Sequence, residues 1–259
     1  MQLLWVVPLG LLVGLALGSL GGGGSILTVP ALVYLLGQSP AAATTGSLII
    51  VGITSLVGAV PHARRGNVRL RQGAIFGVLG VVGSYVGATL ASGVPDAALL
   101  SAFSGLMLVV AALMGRRLRR AGAGVSAPPT SVQPVRVVLA ATAVGLLTGF
   151  FGVGGGFAVV PALVLVLGLP MPVAVGTSLL VIAINSATAL ASRIGSGLEV
   201  DWPTIGSFAL FAAVGSVLGA RWSARLPQRT LTLAFIAMMV VVGLYMAATN
   251  VPQLVGLLA

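Results

Sequence analysis

The 259 residues include no cysteine, no lysine, one histidine (His62) and only three acids, Asp96, Glu199 and Asp201. Without cysteine there is no disulfide and no thiolate metal site. Without lysine there is no Ser–Lys nucleophile pair, and no HExxH motif occurs, so intramembrane hydrolysis has little support and the chain reads as a non-enzyme. The three acids fall in predicted loops. A carrier for Na⁺ or a divalent metal normally needs buried carboxylates, thiolates or several histidines, which argues against that class. No residue pattern calls for a cofactor or a bound metal. Charged residues make up 6% of the chain, against ~25% in a soluble domain. There is also no polar stretch long enough for a second, soluble domain.

What is abundant is apolar: 58% of the residues. The chain reads as an all-α integral membrane protein. Its net charge of +10 comes from 13 arginines. Nucleic-acid binding is one source of such a charge, but in so apolar a chain membrane topology accounts for it. Arg64, Arg65, Arg69 and Arg71 lie between two apolar runs. Arg116, Arg117, Arg119, Arg120 and Arg136 flank a central linker. Arg221, Arg225 and Arg229 lie in a late loop, and Arg193 stands apart. Residues 1–20 are apolar, and Ala16-Leu17-Gly18 faintly resembles a signal-peptidase site. No basic region precedes it, and a similar segment recurs inside the chain, so a retained membrane helix is expected.

The chain repeats itself. Gly14 to Leu32 (GLALGSLGGGGSILTVPAL) returns as Gly145 to Leu163 (GLLTGFFGVGGGFAVVPAL), with 10 of 19 positions identical at an offset of 131. Ser47-Leu48 matches Ser178-Leu179 and Gly66 matches Gly197 at that offset. Val82-Gly83-Ser84, Gly87-Ala88, Pro95, Phe103 and Met107 match Val214-Gly215-Ser216, Gly219-Ala220, Pro227, Phe235 and Met239 at an offset of 132. Apolar runs near 3–20, 25–37, 42–61, 73–92 and 97–115 are followed by runs near 137–151, 156–168, 172–192, 203–222 and 229–248. The expected organisation is a first membrane repeat at 1–115, a cytoplasmic linker at 116–135 and a second repeat at 136–259. Five elements per half is an odd number, so the halves should be inverted relative to each other. With the loops at 62–72, 116–136 and 221–229 inside, twelve of the 13 arginines are cytoplasmic, a strong positive-inside bias. Both termini then lie outside a multi-pass plasma-membrane protein.

The second element of each half is short. About 13 residues at ~1.5 Å each span ~20 Å of a ~30 Å hydrocarbon layer, and each contains a proline, Pro30 or Pro161. A broken or re-entrant half-helix is expected after each glycine motif. Interrupted apolar segments at matching places in two halves point to a transport site.

The glycine clusters supply Gly21, Gly23, Gly24 and Ser25 in one half, and Gly152, Gly154, Gly155 and Gly156 in the other. Their free N–H groups, with the following helix start, form a cradle for an anion. Close helix packing uses the same residues. No Gly-Lys-Ser/Thr follows, so neither is a nucleotide loop. The third elements carry Thr45, Ser47, Thr54 and Ser55, and Thr177, Ser178, Asn185 and Ser186. These are neutral donors for an oxyanion, or interhelical hydrogen-bonding groups. His62 and Arg193 occupy equivalent positions at the ends of these elements, as cationic gates or as ordinary loop-flanking residues.

The doubled pattern G-x-G-G-G/S-x-x-x-V-P-A-L, at Gly21 to Leu32 and Gly152 to Leu163, resembles the TauE/SafE family of sulfite exporters, also called the toluene sulfonate uptake permease family. Gly176-Thr177-Ser178-Leu179-Leu180, Asn185-Ser186 and Gly197 before Val200-Asp201-Trp202 resemble its second-half motif. The resemblance covers nearly the whole chain. It implies a transporter of sulfite, sulfonates or related small anions, in either direction. Its partners are a small anionic substrate and the lipid bilayer; a homo-oligomer is compatible with it. A cation or metal permease and a non-transporting membrane assembly partner are the alternatives.

Overall fold

In a bilayer every backbone polar group must find its partner inside the protein, and helices do this locally. The computed structural model describes residues 2–91, 94, 96–122, 134–151, 156–191 and 201–258, and among them there is no strand. The helices are α1 (Gln2–Leu20), α2 (Gly23–Pro30), α3 (Pro40–Arg64), α4 (Leu70–Ala91), α5 (Asp96–Gly122), α6 (Pro134–Phe151), α7 (Gly156–Leu165), α8 (Met171–Ala191), α9 (Trp202–Ser223) and α10 (Gln228–Leu258). Seven of them, α3 to α6 and α8 to α10, are long and apolar enough to cross a membrane. The two short elements are α2 and α7, as their 8 and 10 residues make plain.

The ends of these elements have local causes. Ser39 caps α3, its hydroxyl accepting from the Ala42 N–H at 3.3 Å, with Pro40 in the first turn. Asp201 caps α9 in the same way through Thr204. After Pro30, whose ring removes a donor, the helix widens into a π turn at Ala31–Leu35. Gly37 and Gly168, both with φ near +70°, then close the two half-helices. Their closures are identical in pattern: Leu36 N–H to Ala31 O and Gln38 N–H to Leu32 O in one, Leu167 N–H to Ala162 O and Leu169 N–H to Leu163 O in the other. The central arginines Arg116, Arg117, Arg119 and Arg120 lie on the last turns of α5, not in a loop. Arginine is a good helix former, so polarity alone does not end the helix.

Packing follows the duplication. α1 lies along α9, and α4 along α6; α3 meets α9 and α8, and α8 meets α4. Exchanging α1–α5 with α6–α10 maps each of these pairs onto another or onto itself. Small residues set the contacts. Gly10, Gly14 and Gly18 abut Phe208, Ala212 and Ser216 in step, so α1 and α9 run parallel. Gly145 and Gly149 abut Gly80 and Ser84 in the same sense. On α3 and α8 the order reverses: Gly52 meets Ser186, Gly58 meets Leu179, and His62 meets Gly176. Thus α1, α3 and α9 run one way and α4, α6 and α8 the other. Among the described residues, the fully buried phenylalanines Phe76, Phe103, Phe208 and Phe235 form two pairs of equivalent positions. Outside, Leu70, Tyr85, Val241 and Tyr245 are exposed apolar side chains of a lipid-facing surface.

Candidate functional site

The two half-helices begin side by side. A Cβ added to Gly156, the first residue of α7, would lie 2.6 Å from the Ser25 hydroxyl and 3.1 Å from both Cα and O of Gly22. Gly22 has no side chain with which to cap α2, so the first N–H groups of that helix have no side-chain acceptor. Ser25 turns its hydroxyl back to the Gly22 carbonyl, donating at 2.7 Å. The N-terminus carries partial positive charge from the aligned peptide dipoles. Two such starts converge here.

The turn before α2 is held tightly. Gly21 has φ +72°, the left-handed region that glycine adopts without strain. Its α-carbon faces the Ser178 hydroxyl, leaving no room for a side chain. Gly24 is equally confined, since a Cβ there would come within 2.6 Å of the Leu17 backbone nitrogen. Gly23 differs: only the flexible end of Met238 on α10 stands in the way.

Gly52 faces Ser186 where α3 and α8 cross, Thr54 and Ser55 follow Gly52 within a turn of α3, and the Asn185 amide lies against Gly80 of α4. Thr54 and Ser55 are fully buried. Thr54 Oγ1, Ser55 Oγ and Asn185 Oδ1 are all buried without a hydrogen-bond partner among the described residues. A buried polar atom left unpaired costs ~1–3 kcal/mol, so each is an atom that a polar guest within reach would stabilise.

Other expected residues lie away from the α3–α8 crossing, Ser178 among them at the glycine turn. Ser47 donates to the Thr44 carbonyl at 2.8 Å, and Ser178 to the Val175 carbonyl at 2.8 Å, each within its own helix. Thr45 is buried near the start of α3, beside Gly46 and its neighbour Ile205. Thr177 accepts from the Arg69 N–H at 3.1 Å, which ties the α3–α4 loop to α8. Pro30 is exposed at the α2 boundary, whereas Pro161 is buried within α7. His62 is buried, its Nε2 2.9 Å from the Gly18 carbonyl in the last turn of α1, next to the glycine turn. Gly152, Gly154, Gly155 and Arg193 lie outside the described residues.

Sequence reading passed over Ser216. This fully buried residue of α9 donates to the Thr54 carbonyl at 3.1 Å and fills the space over Gly58. Its signal was present, since Val-Gly-Ser recurs at 82–84 and 214–216. It also missed Arg65, whose guanidinium donates to the Ala220 carbonyl at 2.8 Å near the end of α9.

Seven membrane-length helices with two short half-helices among them define a multi-pass membrane protein. Comparison with known proteins agrees. The model of the family described as "Sulfite exporter TauE/SafE" matches residues 6–246, and the chain belongs to that family. It is 34% identical over 232 residues to a "Probable membrane transporter protein" of Xylella fastidiosa (strain 9a5c), covering 86% of each chain. It is 32% identical over 238 residues to "Probable membrane transporter protein YdhB" of Bacillus subtilis (strain 168), covering 90% of this chain and 95% of that one. A third relative, "Probable membrane transporter protein MJ0441" of Methanocaldococcus jannaschii, is 26% identical over 262 residues. No solved structure matches the chain.

Proposed function

We propose that this transporter carries small anions, of the sulfite, sulfonate or related organosulfur class. The observation that carries the reading is that the Thr54 and Ser55 hydroxyls, both able to donate, are buried on α3 without a hydrogen-bond partner among the described residues. The converging starts of α2 and α7 add a second set of donors. Neutral donors and helix dipoles can replace an oxyanion's hydration shell without a fixed cation, so the anion binds weakly enough to leave. A cation or metal permease fits less well, because Asp201 caps α9 and neither α3 nor α8 carries an acid.

We further propose that the halves are inverted repeats in a plasma membrane, with the α3–α4 loop, the linker and the α9–α10 loop inside and both termini outside. The opposed directions of α3 and α8, and the arginine bias, support this. Flux in proteoliposomes, measured separately with sulfite, an aryl sulfonate, a carboxylate and Na⁺, tests the substrate class. Saturable sulfite or sulfonate flux is expected. Flux of cations alone would overturn the proposal.

A further inference from the structure

Three arginines line a cavity of about 410 Å³ at the end of α5: Arg116, Arg117 and Arg120, with Leu113 and Leu165. No acid lines it. Arg117 is already engaged, since its guanidinium donates to the Val164 and Leu165 carbonyls at the C-terminal end of α7. Arg116 and Arg120 are exposed and face the same space. A second, apolar cavity of about 200 Å³ runs between α5, α6 and α7, lined by Leu106, Val110, Leu147 and again Leu165. The shared Leu165 joins the two. Val110 precedes Arg116 by six residues of helix, ~9 Å along the axis, so the apolar space lies deeper in the bilayer than the arginines.

From this geometry we propose a binding site for one anionic phospholipid. Its phosphate sits among Arg116, Arg117 and Arg120, and one acyl chain follows the apolar cavity. Guanidinium forks match phosphate oxygens in pairs. A free phosphate would satisfy the arginines but leave the apolar cavity unfilled, whereas a phospholipid fills both. The site belongs to one end of the duplicated scaffold: the positions equivalent to Arg116, Arg117 and Arg120 in α10 are Ala248, Thr249 and Pro252. Because Arg117 holds the end of α7, and α7 begins at Gly156 beside Ser25, an occupied site would steady the half-helix that forms half of the central cradle.

The test uses the full chain in detergent. Native mass spectrometry and thermal unfolding are followed with dioleoyl phosphatidylglycerol, dioleoyl phosphatidylcholine and free glycerol 3-phosphate. Phosphatidylglycerol should bind about tenfold more tightly than phosphatidylcholine and raise the unfolding temperature. The double variant Arg116→Gln/Arg120→Gln should lose that preference, and Arg116→Lys/Arg120→Lys, which keeps the charge without the fork, should keep only part of it. Arg117 is left intact because it also holds α7. Ala143→Phe, which fills the apolar cavity, should weaken phosphatidylglycerol and leave glycerol 3-phosphate binding unchanged. Equal binding of the two lipids, or an unaltered preference in the glutamine double variant, would overturn the site. Full competition by glycerol 3-phosphate, with no effect of Ala143→Phe, would reduce it to a free-anion site and refute the lipid.

Discussion

Ser25 and Gly156 occupy equivalent positions in the two halves and face each other, with 2.6 Å between the serine hydroxyl and the place where a Cβ on the glycine would stand. The pair sits where α2 and α7 begin, so one side chain fills a space built for one.

That relationship predicts the outcome of exchanging the two. Gly156→Ser should crowd Ser25 and lower flux about tenfold. The exchanged double variant Ser25→Gly/Gly156→Ser should recover to within about threefold of wild type, because contacting positions couple strongly. Flux and folded yield are measured together. Additive losses in the double variant would show that the two residues do not share a space.

At the unpaired polar groups, substitution should separate transport from stability. Asn185 Oδ1 and Ser55 Oγ have no partner among the described residues, so removing them forfeits no hydrogen bond seen there. Asn185→Ala and Ser55→Ala should leave the unfolding temperature unchanged or slightly raised. Flux should fall, more for Asn185, since an amide offers two donors and a hydroxyl one. If these groups served helix packing instead, Asn185→Ala would destabilise by the ~0.6 kcal/mol typical of an interhelical bond and leave flux intact.

The glycine turn yields a graded series. Gly24→Ala should abolish transport and reduce folded protein, because the methyl meets the Leu17 backbone. Gly23→Ala should be far milder, since the end of Met238 can move aside. Equal effects from the two in a paired flux and yield assay would contradict the packing described.

His62 offers a test of gate against tie. His62→Phe leaves the buried Gly18 carbonyl without its side-chain partner and should cost ~1–3 kcal/mol of stability. His62→Gln retains a donor and should restore most of that stability, as read by thermal unfolding. Loss of flux in a fully stable His62→Gln protein would show that the imidazole itself is needed.

Much of this was legible in the sequence because duplication writes each constraint twice. The short half-helices, the glycine turn and the buried hydroxyls of the third elements all stand at matched positions. Gly37 and Gly168 also match at the offset of 131, but a lone glycine after an apolar run carries little signal by itself. Depth and direction were harder. Pro30 and Pro161 read alike, yet one is exposed and the other buried. The extension of α5 to Gly122 was hidden by its arginines, which read as a loop. Ser216 gained its meaning only when α9 was placed against α3.

Topology is testable with little interference, since the chain has no cysteine of its own. Single cysteines placed near Asp96 and within residues 123–133 should react with impermeant reagents from opposite sides of the membrane. Labelling of both from one side would rule out the inversion.

The exchange of neighbours has one more consequence. The glycine ridge of α1 fits α9 and that of α6 fits α4, so each ridge is matched by a helix from the other half. A lone half would present both a naked ridge and its mate's empty seat to lipid, and the other half fills them. The duplicated chain is therefore two interlocked molecules made into one. Any opening toward one side of the membrane must part hybrid bodies, with α1, α3 and α9 on one side and α4, α6 and α8 on the other, along a seam that the boundary between the repeats does not follow.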